Sequence, residues 1–307
     1  MTALFIVNPL SERVARKGSL LELYYKRFKD SQTINIHIID DFRAMTDIVD
    51  RALAQNTISH VFIEGGDGTA QGVLTAFLNA VPDNMPRFTL LPGGMTNQVA
   101  KNIGLRKMTL TAVRAIMTNN NTQNTTTPLI HITSEFGPDT YGFLFSTGAV
   151  PMITQYTKHH IHGKGIGGSL AVLGGILKGI SGHAHDIMHP TDIDLQTPAH
   201  NHSEKHLGTL VTTLPNLILG LNPFWGNQGF PLRILYANAK ARRLFRNVIG
   251  LWLGFKNKDR SHDGLYSWTA HHIDYSYTGP IVLDGEPLTA IGPTFSLRVT
   301  QPLKFVR

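Results

Sequence analysis

From Leu4 to Leu91 the chain alternates short apolar runs with stretches of helical period, and this alternation restricts the fold more than any other feature. The run Leu4 to Val7 is followed by Leu20, Leu21, Tyr24 and Phe28 on one helical face, and Ile34 to Ile39 by Phe42, Met45, Ile48, Val49, Ala52 and Leu53. His60 to Ile63 precedes Val73, Ala76, Phe77 and Ala80, and Phe88 to Leu91 closes the series. Strands that alternate with one-faced helices bury best as a parallel sheet covered on both sides. The polar segment Thr118 to Thr127 has no apolar period and reads as an exposed connection near a boundary. After it, short β-rich runs (Leu129 to Thr133, Tyr141 to Phe145, Leu207 to Thr213, Leu232 to Ala237, Leu265 to Ala270) lie between Gly, Pro, Asn and Asp clusters, the pattern of an antiparallel sandwich. With 42% hydrophobic residues in 307, two cores can form. The expected fold is an α/β domain over residues 1–127 and an antiparallel β-sandwich over 128–295.

A formal charge of +7 favours anionic partners. No basic, aromatic-interleaved module points to nucleic acid, so acidic lipid and nucleotide are left. There is no cysteine, hence neither disulfide nor thiolate metal site. No apolar run approaches the roughly 20 residues that span a bilayer, and the first residues lack the pattern of a secretory signal. The expectation is a soluble cytoplasmic protein.

The strongest local signal is Gly65-Gly66-Asp67-Gly68-Thr69, between an apolar strand and an amphipathic helix. Glycines there allow positive φ and close approach to phosphate oxygens, and the helix start favours negative charge. Thr69 suits a cap or a phosphate contact, and Asp67 suits a magnesium shell or a bond that holds the loop. An ordinary turn before a capped helix has the same sequence. A second glycine turn, Pro92-Gly93-Gly94-Met95-Thr96-Asn97-Gln98, again joins strand to helix, so two helix N-termini could converge on one ligand. Asn8-Pro9, with Ser11, ends the first strand at the same place.

These residues resemble the diacylglycerol kinase catalytic-domain family, which includes sphingosine and ceramide kinases and bacterial lipid kinases. The resemblance covers nearly the whole chain: Gly65 to Thr69, Asn8-Pro9, a late Asp284-Gly285-Glu286 and, in part, Pro92 to Gln98. It implies an ATP-binding N-terminal domain with Asn8, Pro9, Gly65, Gly66, Asp67, Gly68, Thr69, Gly94, Thr96 and Asn97 at the nucleotide. It also implies a lipid-substrate β-sandwich whose last residues, about 296–307, return to the first domain. Transfer of phosphoryl from ATP to a lipid hydroxyl, with Mg2+, at an anionic membrane is the implied activity. The protein would then be peripheral at the inner membrane face, and a homodimer is compatible with it.

Met95 stands where the family has threonine, Gln98 where it has aspartate, and Gly148-Ala149 lacks the acid of the family's Gly-Phe-Asp-Ala. Asp284 and Glu286 offer two carboxylates from which a base for the hydroxyl could come, and strand alternation puts both on one side. Asp-Gly is also a common hairpin turn. Asp263, with the carbonyls of Arg260 and Leu265, matches a structural magnesium site of bacterial relatives, and a plain turn fits equally. Most of the histidines at 159, 160 and 162, at 183, 185 and 189, and at 200, 202 and 206 read as polar loop residues rather than zinc ligands. Residues Gly163 to Gly182 and the basic stretch Arg242 to Arg260 could touch a membrane or pack on the sandwich. The alternatives to a lipid kinase are an NAD kinase-like enzyme, whose later glycine-rich segment is absent, and a non-catalytic lipid- or nucleotide-binding protein.

Overall fold

The computed structural model describes residues 2–30, 33–54, 58–80, 84–119, 122–152, 189–217, 220–226, 229–243, 247, 250 and 259–307. The 163–182 stretch and most of 244–258 lie outside the described residues, as do the histidines at 159–162 and 183–185. The chain divides into two compact units, Met1–Pro128 with Gln301–Arg307, and Leu129–Thr300.

The first unit runs β1 (Thr2–Val7), α1 (Glu12–Lys17), α2 (Leu20–Phe28), β2 (Ile34–Ile38), α3 (Met45–Ala54), β3 (Ile58–Gly65), α4 (Asp67–Ala80), β4 (Arg87–Pro92), α5 (Gln98–Ile103), α6 (Leu110–Met117) and β5 (Asn124–Thr127), and is completed by β17 (Leu303–Val306). The sheet order is β2-β1-β3-β4-β17-β5. All pairs are parallel except β17 with β5. Alternation along β1 and β3 sends Phe5 and Phe62 to the face covered by Tyr24 of α2, with ring centroids 5.0 Å (Phe5 to Phe62) and 6.0 Å (Phe5 to Tyr24) apart. On the other face Phe77 of α4 meets Phe88 edge-on at 5.5 Å.

Residues 124–127, expected to be an exposed connection, form β5, with Thr127 buried and paired to Leu303. Their partner lies far along the chain, so no local period reveals the pairing. The return to the first unit begins at Gln301. Residues 296–299 belong to β16 (Thr294–Val299), which pairs with strands of the second unit.

The second unit comprises β6 (Ile130–Ser134), β7 (Thr140–Gly142), β8 (Leu144–Thr147), β9 (Thr191–Gln196), β10 (Asn201–Thr212), β11 (Leu232–Asn238), β12 (Leu265–Ala270), β13 (Ile273–Ser276), β14 (Ile281–Leu283), β15 (Glu286–Pro287) and β16. These eleven strands make one antiparallel sheet. Residues from most of them, among them Ile130, Phe145, Trp268, Tyr275 and Phe295, share a single core. One sheet therefore curls over that core, as the two layers of a sandwich would. His202 and His206 are strand residues, not loop residues: His202 stacks on Tyr236 at 4.4 Å, and His206 is fully buried, with Nε2 2.9 Å from Thr147 Oγ1.

Candidate active site

Strand register sets the site of the first unit. Val7 is level with Glu64, and Gly65 with Pro92, so β1, β3 and β4 end together and their following turns share one edge of the sheet. The edge is the carboxyl end of a parallel sheet, where α/β folds bind ligands.

The two glycine turns interlock. Gly93 N–H donates to Gly65 O at 2.7 Å. A Cβ on Gly93 would lie 2.9 Å from Gly65 Cα, and one on Gly94 would lie 2.6 Å from Gly66 Cα. None of Gly65, Gly66, Gly68, Gly93 or Gly94 has positive φ. The expectation of left-handed glycines is corrected accordingly: Gly93 and Gly94 are required because backbone packs on backbone, and Gly65 because a Cβ there would strike the Thr69 side chain. Gly68 sits in the first turn of α4.

Asp67 is the pin between the turns. Its Oδ2 accepts from Gln98 N at 2.8 Å and Thr96 Oγ1 at 3.1 Å, and its Oδ1 accepts from Val99 N at 2.9 Å. Burial pushes its carboxyl up from the usual carboxylate range, against the pull of these donors and of Lys101. The carboxylate thus occupies the N-terminus of α5, and of the two helix starts expected to converge on a ligand only that of α4 is left open. The bond is made by the backbone amide of residue 98, so this contact does not depend on the side chain there. Thr96 spends its hydroxyl on Asp67. Asn97, left-handed at φ 48°, ties its own turn through Gly94 N at 2.8 Å and Gly94 O at 2.5 Å.

At α4 the first intrahelical bond is Ala70 N–H to Gly66 O, 3.1 Å, so the amides of Asp67, Gly68 and Thr69 point out of the helix start. Asn8, before Pro9 in the β1–α1 turn, donates from Nδ2 to Thr69 Oγ1 at 2.9 Å and fixes that hydroxyl. The arrangement can take a phosphate.

Two further residues of this edge escaped the sequence reading. Glu64, wholly buried, accepts from Ser19 Oγ (2.6 Å), Leu20 N and Leu21 N (both 3.0 Å) and Arg13 Nη1 (3.2 Å). A lone charge ending the apolar strand Val61-Phe62-Ile63 was the available signal.

In the second unit Asp284-Gly285 is the two-residue loop of the β14–β15 hairpin, with φ of 50° and 89° and Leu283 opposite Glu286. This is the primed turn that Asp-Gly favours. Asp284 Oδ1 accepts from Leu144 N at 2.8 Å, and both its oxygens accept from Phe143 N at 3.0–3.1 Å. Strand alternation does not run through a turn, so the two acids differ: Asp284 is bound to backbone, whereas Glu286 is exposed on β15.

The proposed magnesium site does not fit an ion. The carbonyl of Arg260 accepts the amides of Asp263 (2.9 Å) and Leu265 (3.2 Å). The buried Asp263 carboxylate is faced by Asn247 Nδ2 at 3.2 Å, His262 at 3.6 Å and Arg243 at 3.9 Å, all donors or cations. Among the described residues no three His, Asp or Glu side chains gather as a metal site.

The sequence profile of the diacylglycerol kinase catalytic domain matches residues 2–127, the span that builds the interlocked turns. Residues 2–127 belong to the diacylglycerol kinase catalytic-domain family. A Bacillus anthracis str. Sterne crystal structure, provisionally named a diacylglycerol kinase, superposes with a TM-score of 0.71 at 14% identity, over 99% of this chain and 96% of that one. A second, named a diacylglycerol kinase from the same strain, gives 0.64 at 13% with the same coverage. At such identity the likeness is one of fold, and it extends over both units. No curated protein matches the chain.

Proposed function

We propose that the protein transfers the terminal phosphoryl group of ATP to a hydroxyl of a lipid, a diacylglycerol or a close relative, at an anionic membrane surface. The observation that carries this reading is the open N-terminus of α4, held between two interlocked glycine turns inside a diacylglycerol kinase catalytic domain. Amides of Asp67, Gly68 and Thr69, with the α4 dipole, suit phosphate oxygens. Asp67 acts on the site by fixing α5 rather than by touching the nucleotide.

In the transfer, the lipid oxygen forms a bond to the terminal phosphorus, the bond from phosphorus to the bridging oxygen breaks, ADP leaves, and the hydroxyl proton passes to a base. Glu286 is the better base. Its exposure leaves it accessible to a substrate, whereas Asp284 is committed to Phe143 and Leu144 and positions the hairpin that presents Glu286. Magnesium, if used, would supply charge neutralisation at the phosphates; neither Asp67 nor Asp263 offers it a ready carboxylate.

The net charge of +7 favours peripheral binding to the inner, anionic membrane face, and among the described residues no helix is long and apolar enough to cross a membrane. The deciding assay incubates the protein with labelled ATP, magnesium and mixed micelles of diacylglycerol, monoacylglycerol, ceramide or sphingoid lipid, with NAD as a separate acceptor. Label in a lipid is expected. Label only in NAD, or in no acceptor, overturns the reading. Glu286→Gln should lower turnover by about 10²- to 10⁴-fold with ATP affinity unchanged; near wild-type turnover would remove Glu286 from the chemistry.

A further inference from the structure

The buried Glu64 already has three donors without Arg13: the Ser19 hydroxyl and the first two amides of α2. A carboxylate at a helix start with three hydrogen bonds is well supported by itself. Arg13 adds one contact, Nη1 to Oε1 at 3.2 Å, and its side chain stays 28% exposed. A guanidinium has five N–H donors in a rigid fork. Most of the fork is therefore not needed by Glu64.

The position of Arg13 is fixed twice. Its backbone N–H donates to Gly93 O at 2.8 Å, joining α1 to the second glycine turn, while Glu64 holds the guanidinium next to the end of β3. Glu64 is followed directly by Gly65, Gly66 and the first residue of α4, so its Cα lies within about 11 Å of that of Asp67. A half-held, partly exposed guanidinium, carried on a helix tied by its backbone to the second glycine turn, suits bidentate recognition of phosphate. We propose that Arg13 is a phosphate-binding residue of the nucleotide site, aimed by Glu64. The proposal rests on the reading of the α4 start as the phosphate site and deepens it.

The test measures, by titration calorimetry on the intact protein, the affinities for ATP, inorganic tripolyphosphate and adenosine. The variants are Arg13→Met, which keeps the aliphatic stem, and Arg13→Lys, which keeps the charge and the pairing with Glu64. Arg13→Met should weaken ATP and tripolyphosphate binding about 10- to 100-fold and leave adenosine unchanged, since a hydrogen bond to a charged group is worth roughly that factor. Arg13→Lys should fold as the wild type and lose about 3- to 10-fold for both phosphates, because a point charge replaces a fork. A residue that only neutralised Glu64 would change stability but not the ratio of ATP to adenosine affinity. An unchanged ratio in folded Arg13→Met, or wild-type tripolyphosphate binding in Arg13→Lys, overturns the proposal. If the wild-type protein binds neither ATP nor tripolyphosphate, the nucleotide reading itself fails and Arg13 falls with it.

Discussion

Gly94→Ala perturbs the contact on which the site depends. The new Cβ would lie 2.6 Å from Gly66 Cα and 3.4 Å from Asn97 Oδ1. Carbon atoms rest at about 3.5–4.0 Å, so the turns must separate by roughly 1 Å. The bonds between them, Gly93 N to Gly65 O at 2.7 Å and the contacts of Asp67 to Thr96, Gln98 and Val99 at 2.8–3.1 Å, would then pass out of hydrogen-bonding range. Overpacking alone costs about 1–3 kcal/mol, and a buried carboxylate that loses donors adds a comparable amount, so destabilisation of about 2–5 kcal/mol is expected. Gly72→Ala is the control. Its Cβ meets only Phe42 ring atoms at ordinary contact, 3.5 Å, and alanine inside a helix gains up to about 1 kcal/mol over glycine. Urea unfolding followed by circular dichroism, with ATP titration of each folded variant, measures both effects. Gly94→Ala should unfold at lower urea and bind ATP more weakly, and Gly72→Ala should do neither. A Gly94→Ala protein with the wild-type midpoint and affinity would refute the argument that backbone contact between the turns builds the site.

Acid should weaken the first unit through His60. Thr89 Oγ1 donates to Val306 O at 2.9 Å and so accepts from His60 Nε2–H at 2.8 Å, leaving the buried Nδ1 without a partner. Burial, with Arg87 nearby, takes the imidazole down to about 3. The folded value lies below the unfolded one, so the stability is complete above about pH 6.5 and is lost as pH falls toward 3; between pH 7 and 5 the loss is about 2 kcal/mol. His60→Gln should remove that part of the slope in urea midpoints, and an unaltered slope would contradict the assignment. Chelation should leave the nucleotide-free protein unmoved, since Asp263 is faced by Arg243, His262 and Asn247. A thermal midpoint that rises by several degrees on adding magnesium alone would show that an ion binds there after all.

The sequence determined the order of elements from β1 to β4 and the place of the two glycine turns, because both rest on local chemistry. Helical period and apolar runs mark α2, α3, α4, β1, β3 and β4, and glycine turns between strand and helix mark a parallel-sheet edge. The same local character made the family legible from Gly65 to Thr69. What a residue touches across that edge was not legible. Asp67 has the sequence of a metal or phosphate ligand, yet it caps α5, because the register of β3 with β4 brings residue 98 to its carboxylate. Glu64 and Arg13, 51 positions apart in sequence, meet only when β3 lies beside β1. Asp284 and Glu286 are two positions apart in sequence but differ in role, since the primed turn rotates one onto the amides of Phe143 and Leu144 and leaves the other in solvent. β5 pairs only with β17, which itself lies beside β4, so that edge of the sheet is built from segments far apart in sequence. Local pattern is a property of neighbours in sequence and survives in a one-dimensional record. Hydrogen-bond partners across a sheet edge are set by register and strand order, which only the folded chain possesses.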